Sequence, residues 1–299
     1  MVIRVDNLVK RYGDFLAVDH LSFEVHRGEI FGLLGPNGAG KTTVIRIIMD
    51  ILQPDEGNAT VLGLPVGQAS DRVGYLPEER GLYRNLKLLD TLVYLAELKG
   101  VDRQTSRTRA LQLLEEMGLQ DWADRKVRDL SRGMHQRLQY TASIIHNPEI
   151  VFLDEPFQGQ DPINVERMKG VIARLREDGK TIVLSTHQMN LVEALCDRIL
   201  LISQGRTVLY GALSEIKEEF ASNTVRIRVA DLPSDLPGVI KVVPDSGAFS
   251  LTLAEGSGPQ EILRALVDRG VEVRAFEVAP VPLEDIFVTV VDTERDSKE

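Results

Sequence analysis

Residues 35–43 read Gly-Pro-Asn-Gly-Ala-Gly-Lys-Thr-Thr and lie between an apolar run at residues 30–34 and a helically spaced apolar segment at residues 44–49. That order predicts a strand, a glycine-rich loop and a helix, and the loop matches the pattern G-x-x-x-x-G-K-[ST]. Glycines let successive backbone N–H groups face an anion, and the new helix adds its positive N-terminal end. A glycine-rich turn with an incidental lysine is the alternative, but it does not require a strand and a helix at its two ends. The stretch therefore predicts a binding site for a nucleoside triphosphate.

The residues of this loop have separate expected roles. Lys41 would reach the β- and γ-phosphates, and the hydroxyl of Thr42 would ligate Mg²⁺. The other nucleotide-binding positions would place the loop backbone around the phosphates; they are Gly35, Pro36, Asn37, Gly38, Ala39, Gly40 and Thr43.

A second apolar run, residues 150–153, ends in the paired carboxylates Asp154 and Glu155. In open α/β sheets, ligands bind at the carboxyl ends of the strands. We therefore expect Asp154 to hold Mg²⁺, usually through water, and Glu155 to polarise the attacking water as general base. Two carboxylates that merely cap a turn are the alternative interpretation.

The composition limits the classes of protein to which the chain can belong. Its 299 residues favour one large domain with a smaller one, and the net charge of −10 argues against a protein that coats nucleic acid, so no nucleic-acid partner is expected. Cys196 is the single cysteine, which excludes an intrachain disulfide, and its helical apolar setting predicts a buried filler.

The sequence also bears on localisation. The N-terminus lacks the long apolar region of a signal peptide, and runs such as residues 199–202 are far shorter than the roughly 18 residues that a membrane helix needs. We therefore expect a cytoplasmic protein that acts at a membrane only through a partner.

A change of composition near Leu213 predicts two domains, residues 1–213 and 214–299. The first has an α/β pattern that begins with short strands, such as residues 2–5 and 21–25, and carries a helical insertion over about residues 80–147. Further elements are predicted as a helix over 189–198 and a hairpin of strands 199–202 and 207–210.

The second domain reads as a small α+β domain of about 80 residues. Strands are expected from Val225 onwards, then a helix over 261–269, a strand over 271–276 and a closing helix over 283–290. The sequence of this domain contains no phosphate loop, metal-binding cluster or set of nucleophiles, and the charged tail 292–299 is expected to fray.

Residues 130–137 read Leu-Ser-Arg-Gly-Met-His-Gln-Arg and precede the paired carboxylates. Together with the glycine-rich loop, this stretch makes residues 1–213 resemble the nucleotide-binding subunits of ATP-binding cassette (ABC) transporters. The stretch is similar to the family signature LSGGQ, in which it retains Ser131 and Gly133 but has Arg132 and a methionine at two other positions.

The resemblance implies a fold and a dimer. The fold is the P-loop NTPase cassette, an α/β fold with a mixed core sheet, an antiparallel β subdomain and a helical insertion. Ser131 and Gly133 would present a hydroxyl, backbone N–H groups and a helix dipole to the γ-phosphate of ATP held by the opposing subunit. A solvated helix cap is the alternative for this stretch.

Three further residues match positions of the family. Tyr12 matches an aromatic residue that stacks on adenine, although a tyrosine on an edge strand is the competing interpretation. His187 matches the switch histidine that contacts the γ-phosphate. Asp161 matches the D-loop that runs along the dimer interface, and it is also expected to cap a following helix; here the loop reads Gln-Gly-Gln-Asp instead of the usual Ser-Gly-Leu-Asp.

Glu78 stands where the family normally has a glutamine that touches Mg²⁺ and the attacking water. A carboxylate can ligate Mg²⁺ but cannot donate a hydrogen bond, and it adds negative charge beside the γ-phosphate. We expect Glu78 to be tolerated in the site and to support turnover.

The run Glu-Glu-Arg-Gly-Leu-Tyr at residues 78–83, together with the small C-terminal domain, resembles a subgroup of exporter ATPases that includes sodium-export and drug-resistance types. This resemblance implies an ATPase that dimerises around two ATP molecules and drives export through a separate multi-spanning permease. One alternative is a soluble ABC ATPase that acts on ribosomes or DNA, which co-sedimentation would distinguish. Another is a module that senses ATP without hydrolysing it, which a phosphate-release assay would distinguish.

Overall fold

The computed structural model describes residues 1–78, 81–220, 224–233, 235–245, 247–254, 256–278 and 282–296. It divides into two compact units, Met1–Leu213 and Ser214–Glu299. The strands described in the first unit are β1 (Ile3–Tyr12), β2 (Phe15–Val25), β3 (Ile30–Leu34), β4 (Glu56–Val61), β5 (Leu64–Pro65), β6 (Val73–Leu76), β7 (Ile150–Asp154), β8 (Thr181–Thr186), β9 (Arg198–Ser203) and β10 (Arg206–Ala212). Its helices are α1 (Lys41–Ile48), α2 (Leu88–Leu98), α3 (Arg103–Glu116), α4 (Arg132–Ile144), α5 (Pro162–Glu177) and α6 (Met189–Leu195).

A six-stranded mixed sheet forms the centre of the first unit, in the order β10-β9-β3-β8-β7-β6. All of its neighbouring strands are parallel except the β9–β10 hairpin. Strands β3, β7 and β8 are buried along their whole length, which explains their continuous apolar sequences. Leu34 pairs with Thr186 and Asp154 with Ser185, so the carboxyl ends of these three strands meet at one edge.

A separate antiparallel sheet has the order β2-β1-β4-β5. Strands β1 and β2 contain 10 and 11 residues, so the short strands expected at residues 2–5 and 21–25 were wrong in extent. The outer halves of both strands become more exposed towards the turn and do not alternate regularly, and β1 and β2 pair there with register shifts. The continuous apolar signal of a buried strand is therefore missing there.

Helices α2, α3 and α4 form the helical insertion between β6 and β7. Asp102 caps α3 by accepting a hydrogen bond from the N–H of Thr105, at 3.0 Å. Leu88, Leu92 and Leu114 are fully buried, as their helical spacing predicts.

The helix predicted over residues 189–198 ends earlier, since α6 stops at Leu195 and Arg198 begins β9. Cys196 has extended backbone dihedrals, and the N–H of Asp197 bonds the carbonyl of Ile30 while its carboxylate accepts from the N–H of Ile30. This pairing at the start of β3 replaces the last helical turn. Cys196 is buried with a free thiol, as expected.

The second unit is described by itself. After α7 (Leu213–Glu219), which begins at the boundary, its strands are β11 (Thr224–Val229), β12 (Val239–Asp245), β13 (Ala248–Leu253) and β14 (Val273–Val278), and its helices are α8 (Pro259–Asp268) and α9 (Leu283–Asp296). The strands form an antiparallel sheet in the order β12-β13-β11-β14. Its own apolar core includes Val225, Ile227, Leu251, Ile262 and Leu266.

The predicted helices and strands of the second unit are of the correct type, but their bounds differ. Helix α9 continues to Asp296, so the frayed tail expected from residue 292 is helical over 292–296. Residues 297–299 of that expected tail, and Glu79 and Arg80 of the exporter-like run, lie outside the described residues.

Candidate nucleotide-binding site

The glycine-rich loop joins β3 to α1 and needs its glycines for two physical reasons. Gly35, Gly38 and Gly40 have φ angles of 149°, 79° and 109°, which side-chain-bearing residues rarely adopt. A Cβ atom at Gly35 would stand 2.2 Å from the carbonyl oxygen of Ile202, and one at Gly40 would stand 2.4 Å from that of Ala17. The loop therefore packs against β9 and β2 only because these positions have no side chain.

A cleft of about 470 Å³ opens over this loop. It brings together most of the residues that the sequence singled out, and its lining consists of Tyr12, Phe15, Ala17, Asn37, Gly38, Ala39, Gly40, Lys41, Thr42, Thr43, Glu78 and Glu155. The ring of Tyr12 is 48% exposed, so it offers a free aromatic face at this surface. Phe15 and Ala17 were not predicted to line the cleft. The available signal in the sequence was the aromatic residue Phe15 directly after the turn at Gly13 and Asp14, and its ring is exposed.

Lys41 is the first residue of α1 and lies on the floor of the cleft, with its side chain only 6% exposed. Its Nζ atom donates hydrogen bonds to the carbonyl oxygens of Gly35, at 2.7 Å, and Pro36, at 3.2 Å. The same atom lies 3.6 Å from Oε1 of Glu155. The loop thus holds a buried ammonium group beside the carboxylate of Glu155, which directly follows β7.

Asp154 ends β7 and is almost completely buried. Its Oδ1 atom accepts hydrogen bonds from the hydroxyl of Ser185 and, at 3.4 Å, from that of Thr42. Burial raises the pKa of Asp154 above its ordinary value, and the hydrogen bond from Ser185 opposes that rise. Its Oδ2 atom has no hydrogen-bond partner among the described residues, so a buried carboxylate oxygen and a hydroxyl are available to an oxygen-preferring cation.

Glu155 follows directly, in a left-handed conformation with φ 47°. Its N–H group donates to the carbonyl oxygen of Ser185, at 3.1 Å, and lies 3.2 Å from the hydroxyl of the same residue. Its Oε1 atom lies 3.1 Å from Nδ1 of His187, while Oε2 is buried without a hydrogen-bond partner in the described part of the chain. One carboxylate oxygen is therefore held by the histidine, and the other is a buried acceptor that has no partner among the described residues.

His187 and Glu78 approach the same edge from two other strands. His187 follows β8 and is 40% exposed, and Glu78 lies two residues beyond β6. Burial raises the pKa of Tyr75 to about 12; the charges of Asp154 and Glu78 add to this rise, and Arg46 opposes it. The carboxylates of this edge therefore produce a negative potential inside the protein.

The signature stretch lies elsewhere on the same unit. Ser131 is exposed and caps α4, its hydroxyl accepting from the N–H of Met134 at 3.4 Å. Neither Ser131 nor Gly133 lines the cleft that contains Lys41. Asp161 also lies outside that cleft and caps α5, with Oδ1 accepting from the N–H of Asn164 at 2.9 Å.

Among residues 1–78, 81–220 and the described parts of the second unit, no group of three or more His, Cys, Asp or Glu side chains could hold a metal ion by itself. In the same part of the chain, no helix combines the length and hydropathy required to span a membrane.

A strand, a glycine-rich loop with lysine at the start of a helix, and a carboxylate at the end of a parallel strand of the same sheet define a P-loop NTPase. Comparisons with known proteins agree with this class. Residues 18–158 match the family model described as ABC transporter, and residues 211–291 match the C-terminal domain of ATP-binding proteins of the DrrA1-3 type.

Individual relatives specify the family. The chain is 38% identical to the ABC transporter ATP-binding protein YhaQ of Bacillus subtilis, over 96% of this chain and 97% of the relative. It is 33% identical to the daunorubicin/doxorubicin resistance ATP-binding protein DrrA of Streptomyces peucetius, over 99% and 94%. A bacterial ABC transporter cassette solved as a dimer superimposes with a TM-score of 0.66 at 25% identity, over 71% of this chain and 98% of that one.

The chain therefore belongs to the ATP-binding proteins of ABC transporters. It is an ATP-binding and ATP-hydrolysing subunit, and the family, fold class and activity expected from the sequence are confirmed. The roles of the individual site residues remain predictions.

Proposed function

We propose that this chain is the ATPase subunit of an exporter, and that two copies close around two ATP molecules to drive a separate membrane permease. The observation that supports the dimer most strongly is the separation of two elements within one unit. Lys41 lines the nucleotide cleft, whereas the exposed Ser131 and the partly buried Gly133 at the N-terminus of α4 lie outside it. A second copy could supply the α4 end to that cleft, and a cassette to which this unit is similar has been solved as a dimer.

Within each site, we assign the chemical tasks of ATP hydrolysis to individual residues. Lys41 and the loop backbone would bind the phosphates, and Tyr12 would stack on the adenine ring. Glu155 would act as general base through its unpartnered Oε2 atom, while His187 positions the carboxylate through Oε1 and contacts the γ-phosphate.

Mg²⁺ fits the residues at the end of β7. Thr42 and Asp154 would hold it with phosphate oxygens and water, since the two side chains lie 3.4 Å apart and Asp154 has a buried oxygen without a partner in the described residues. When bound, the ion neutralises charge on the transferred phosphoryl group. Glu78, which lines the same cleft, is the third oxygen donor that we assign to it.

The permease partner is supported by a groove beside Glu78. The groove has a volume of about 330 Å³ and lies between β6 and the helical insertion, with Pro77, Leu82 and Leu95 among its lining residues. The exposed rings of Tyr83 and Tyr94 lie nearby in sequence and pack edge to face, with centroids 5.8 Å apart. We assign this surface to a cytoplasmic segment of the permease, which would place the subunit at the inner face of the membrane.

The second unit would stabilise or gate the dimer. It has an apolar core of its own and matches the C-terminal domain of DrrA-type proteins, so we treat residues 214–299 as a separate domain with an accessory role. A chain truncated after Leu213 should then show weaker dimerisation or altered turnover. Unchanged dimerisation, ATPase activity and transport in the truncated chain would contradict this assignment.

The variant Glu155→Gln tests the proposed function directly. It should bind ATP but hydrolyse it about 10²–10⁴-fold more slowly, because the general base is lost. Bound ATP would then persist, and sedimentation with ATP should show an accumulated dimer. Near-normal turnover in this variant would contradict the assignment of the base, and a monomer with saturating ATP would contradict the dimer.

A further inference from the structure

The edge of the sheet that receives a triphosphate carries an excess of negative charge. Asp154, Glu155 and Glu78 all approach the nucleotide cleft, and Lys41 is the buried ammonium group beside them. Like charges at short separation repel, and they do so more strongly where burial limits screening. Glu155 is buried and Glu78 is exposed, so a carboxylate at position 78 repels that of Glu155 through partly screened surroundings unless another cation offsets it.

A second cavity, of about 480 Å³, adjoins the same carboxylates and contains such a cation. Glu78 and Glu155 line both cavities. The remaining lining residues of the second cavity are Pro77, Arg132, Gln136, Gln139 and Gln158. Arg132 is the only cationic residue among them.

Arg132 is exposed, and its guanidinium group lies beside Gly159 in the loop that starts at Glu155. A Cβ atom built on Gly159 would stand 2.8 Å from Nη2 of Arg132 and 3.2 Å from its Cζ atom. Gly159 also has a φ of 67°, so this position both requires glycine and leaves room for the guanidinium group. The arginine therefore lies directly on the backbone of residues 155–161.

Two glutamines join the same helix to the same loop. Nε2 of Gln136, one turn along α4 from Arg132, donates to the carbonyl oxygen of Pro156 at 2.7 Å. Its Oε1 atom accepts from Nε2 of Gln160 at 2.5 Å. The start of α4 and the loop that positions the general base are thus joined by hydrogen bonds, and Arg132 and Glu78 line the same cavity beside them.

We propose that Arg132 is a positioning residue: its charge, held against residues 155–161, offsets Glu78 and thereby keeps Glu155 in place. Arg132 acts through the loop and needs no contact with the nucleotide. The inference rests on the proposed function for the role of Glu155. It makes Glu78 and Arg132 a single functional pair, in which the effect of removing one charge depends on whether the other is present.

A double-mutant cycle in the full-length chain tests this dependence. Arg132→Gln keeps much of the side-chain length but removes the charge, and it should lower kcat about tenfold with a small change in KM. The same substitution made in a Glu78→Gln background should change kcat by less than about twofold relative to Glu78→Gln alone. Arg132→Lys should retain most of the wild-type kcat, because it keeps the positive charge.

A second readout needs no nucleotide and no turnover. The amides of Glu155, Gln158 and Gln160 form backbone hydrogen bonds within or beside this loop, so their hydrogen exchange reports its order. Arg132→Gln should increase exchange over residues 155–161, and adding Glu78→Gln should reverse most of that increase. Arg128→Gln is the matched control, since Arg128 is exposed and pairs with Asp129 outside this cavity; exchange and kcat should be unchanged.

The outcomes separate the inference from the proposed function. Two results together would overturn the inference. Arg132→Gln would reduce kcat by the same factor with Glu or Gln at position 78, and hydrogen exchange in the nucleotide-free protein would be unchanged. Arg132 would then act on the nucleotide across the dimer. If the wild-type chain does not hydrolyse ATP, the proposed function fails, whereas the exchange experiment still tests the pairing of residues 78 and 132.

Discussion

The phosphate-loop end of the first unit, around Lys41 and Glu155, and its signature end, at Ser131 and Gly133, differ in burial and in hydrogen bonding. Lys41 and Glu155 are each 6% exposed, and they are held by hydrogen bonds to Gly35 of the loop and to Ser185 of β8. Ser131 is exposed, and its side chain makes one hydrogen bond of 3.4 Å, to the N–H of Met134 within its own helix. One end is organised within a single chain, while the other presents polar groups to a surface.

This difference predicts that substitutions at the two ends will affect different steps. Changes at the phosphate-loop end should weaken ATP binding by a single subunit. Changes at the signature end should leave that binding intact and affect only the closed dimer. The following predictions test that distinction.

Lys41→Ala should have the largest effect. Removing a preorganised cation from the phosphates should lower kcat about 10²–10³-fold and weaken ATP binding to the monomer. Measurement of phosphate release, together with titration by a fluorescent ATP analogue, checks both effects. Equal ATP affinity in the variant and the wild type would show that Lys41 does not contact the phosphates.

Gly133→Ala should have an intermediate effect that appears only in the dimer. A Cβ atom at this position would stand 3.5 Å from Nδ2 of Asn164, an ordinary contact, so the protomer accommodates alanine. The helix should gain up to about 1 kcal/mol of stability. The methyl group would block close approach of the backbone to the partner's γ-phosphate, and ATP-dependent dimerisation and turnover should fall about tenfold.

Gly170→Ala is the matched control for that substitution. Gly170 lies within α5, and a Cβ atom there would have no neighbour within 4 Å. It should show the same gain in thermal stability with unchanged dimerisation. If both variants dimerise like the wild type, the start of α4 does not face a nucleotide.

Tyr12→Ala should have the smallest effect. Loss of the exposed ring should raise the Kd for ATP about three- to tenfold, because a stacking contact is lost, while kcat at saturation changes little. Tyr12→Phe should bind like the wild type, since it retains the ring. Equal losses in the two variants would assign the role to the hydroxyl group instead.

The same contrast explains what the sequence could predict. The loop at residues 35–43 and the strand ending at Asp154 were predictable, because a fixed local pattern and a continuous apolar run specify them. Cap residues such as Ser131 and Asp161 were also predictable, since capping depends on residues only three positions apart.

Features that depend on distant residues were not predictable. The lengths of β1 and β2 escaped detection because their outer halves are partly solvated. The contact of Arg132 with Gly159 arises only when α4 packs on the loop after β7, and the sequence marked Arg132 merely as a departure from a motif. The left-handed conformation of Glu155 likewise follows from its pairing with Ser185.

A mixing experiment tests the composite site most directly. Lys41→Ala disables the phosphate-loop end, and Gly133→Asp places a carboxylate at the signature end, where it repels the partner's triphosphate. Each variant alone should be nearly inactive. In a mixed dimer, one site carries both defects and the other carries neither.

Equal amounts of the two variants should therefore recover about one quarter of the wild-type sites, because about half of the dimers are mixed and each has one intact site. Recovery of phosphate release on mixing is the result that the account predicts. No recovery at any mixing ratio, or full activity of Gly133→Asp in a demonstrably monomeric sample, would contradict it.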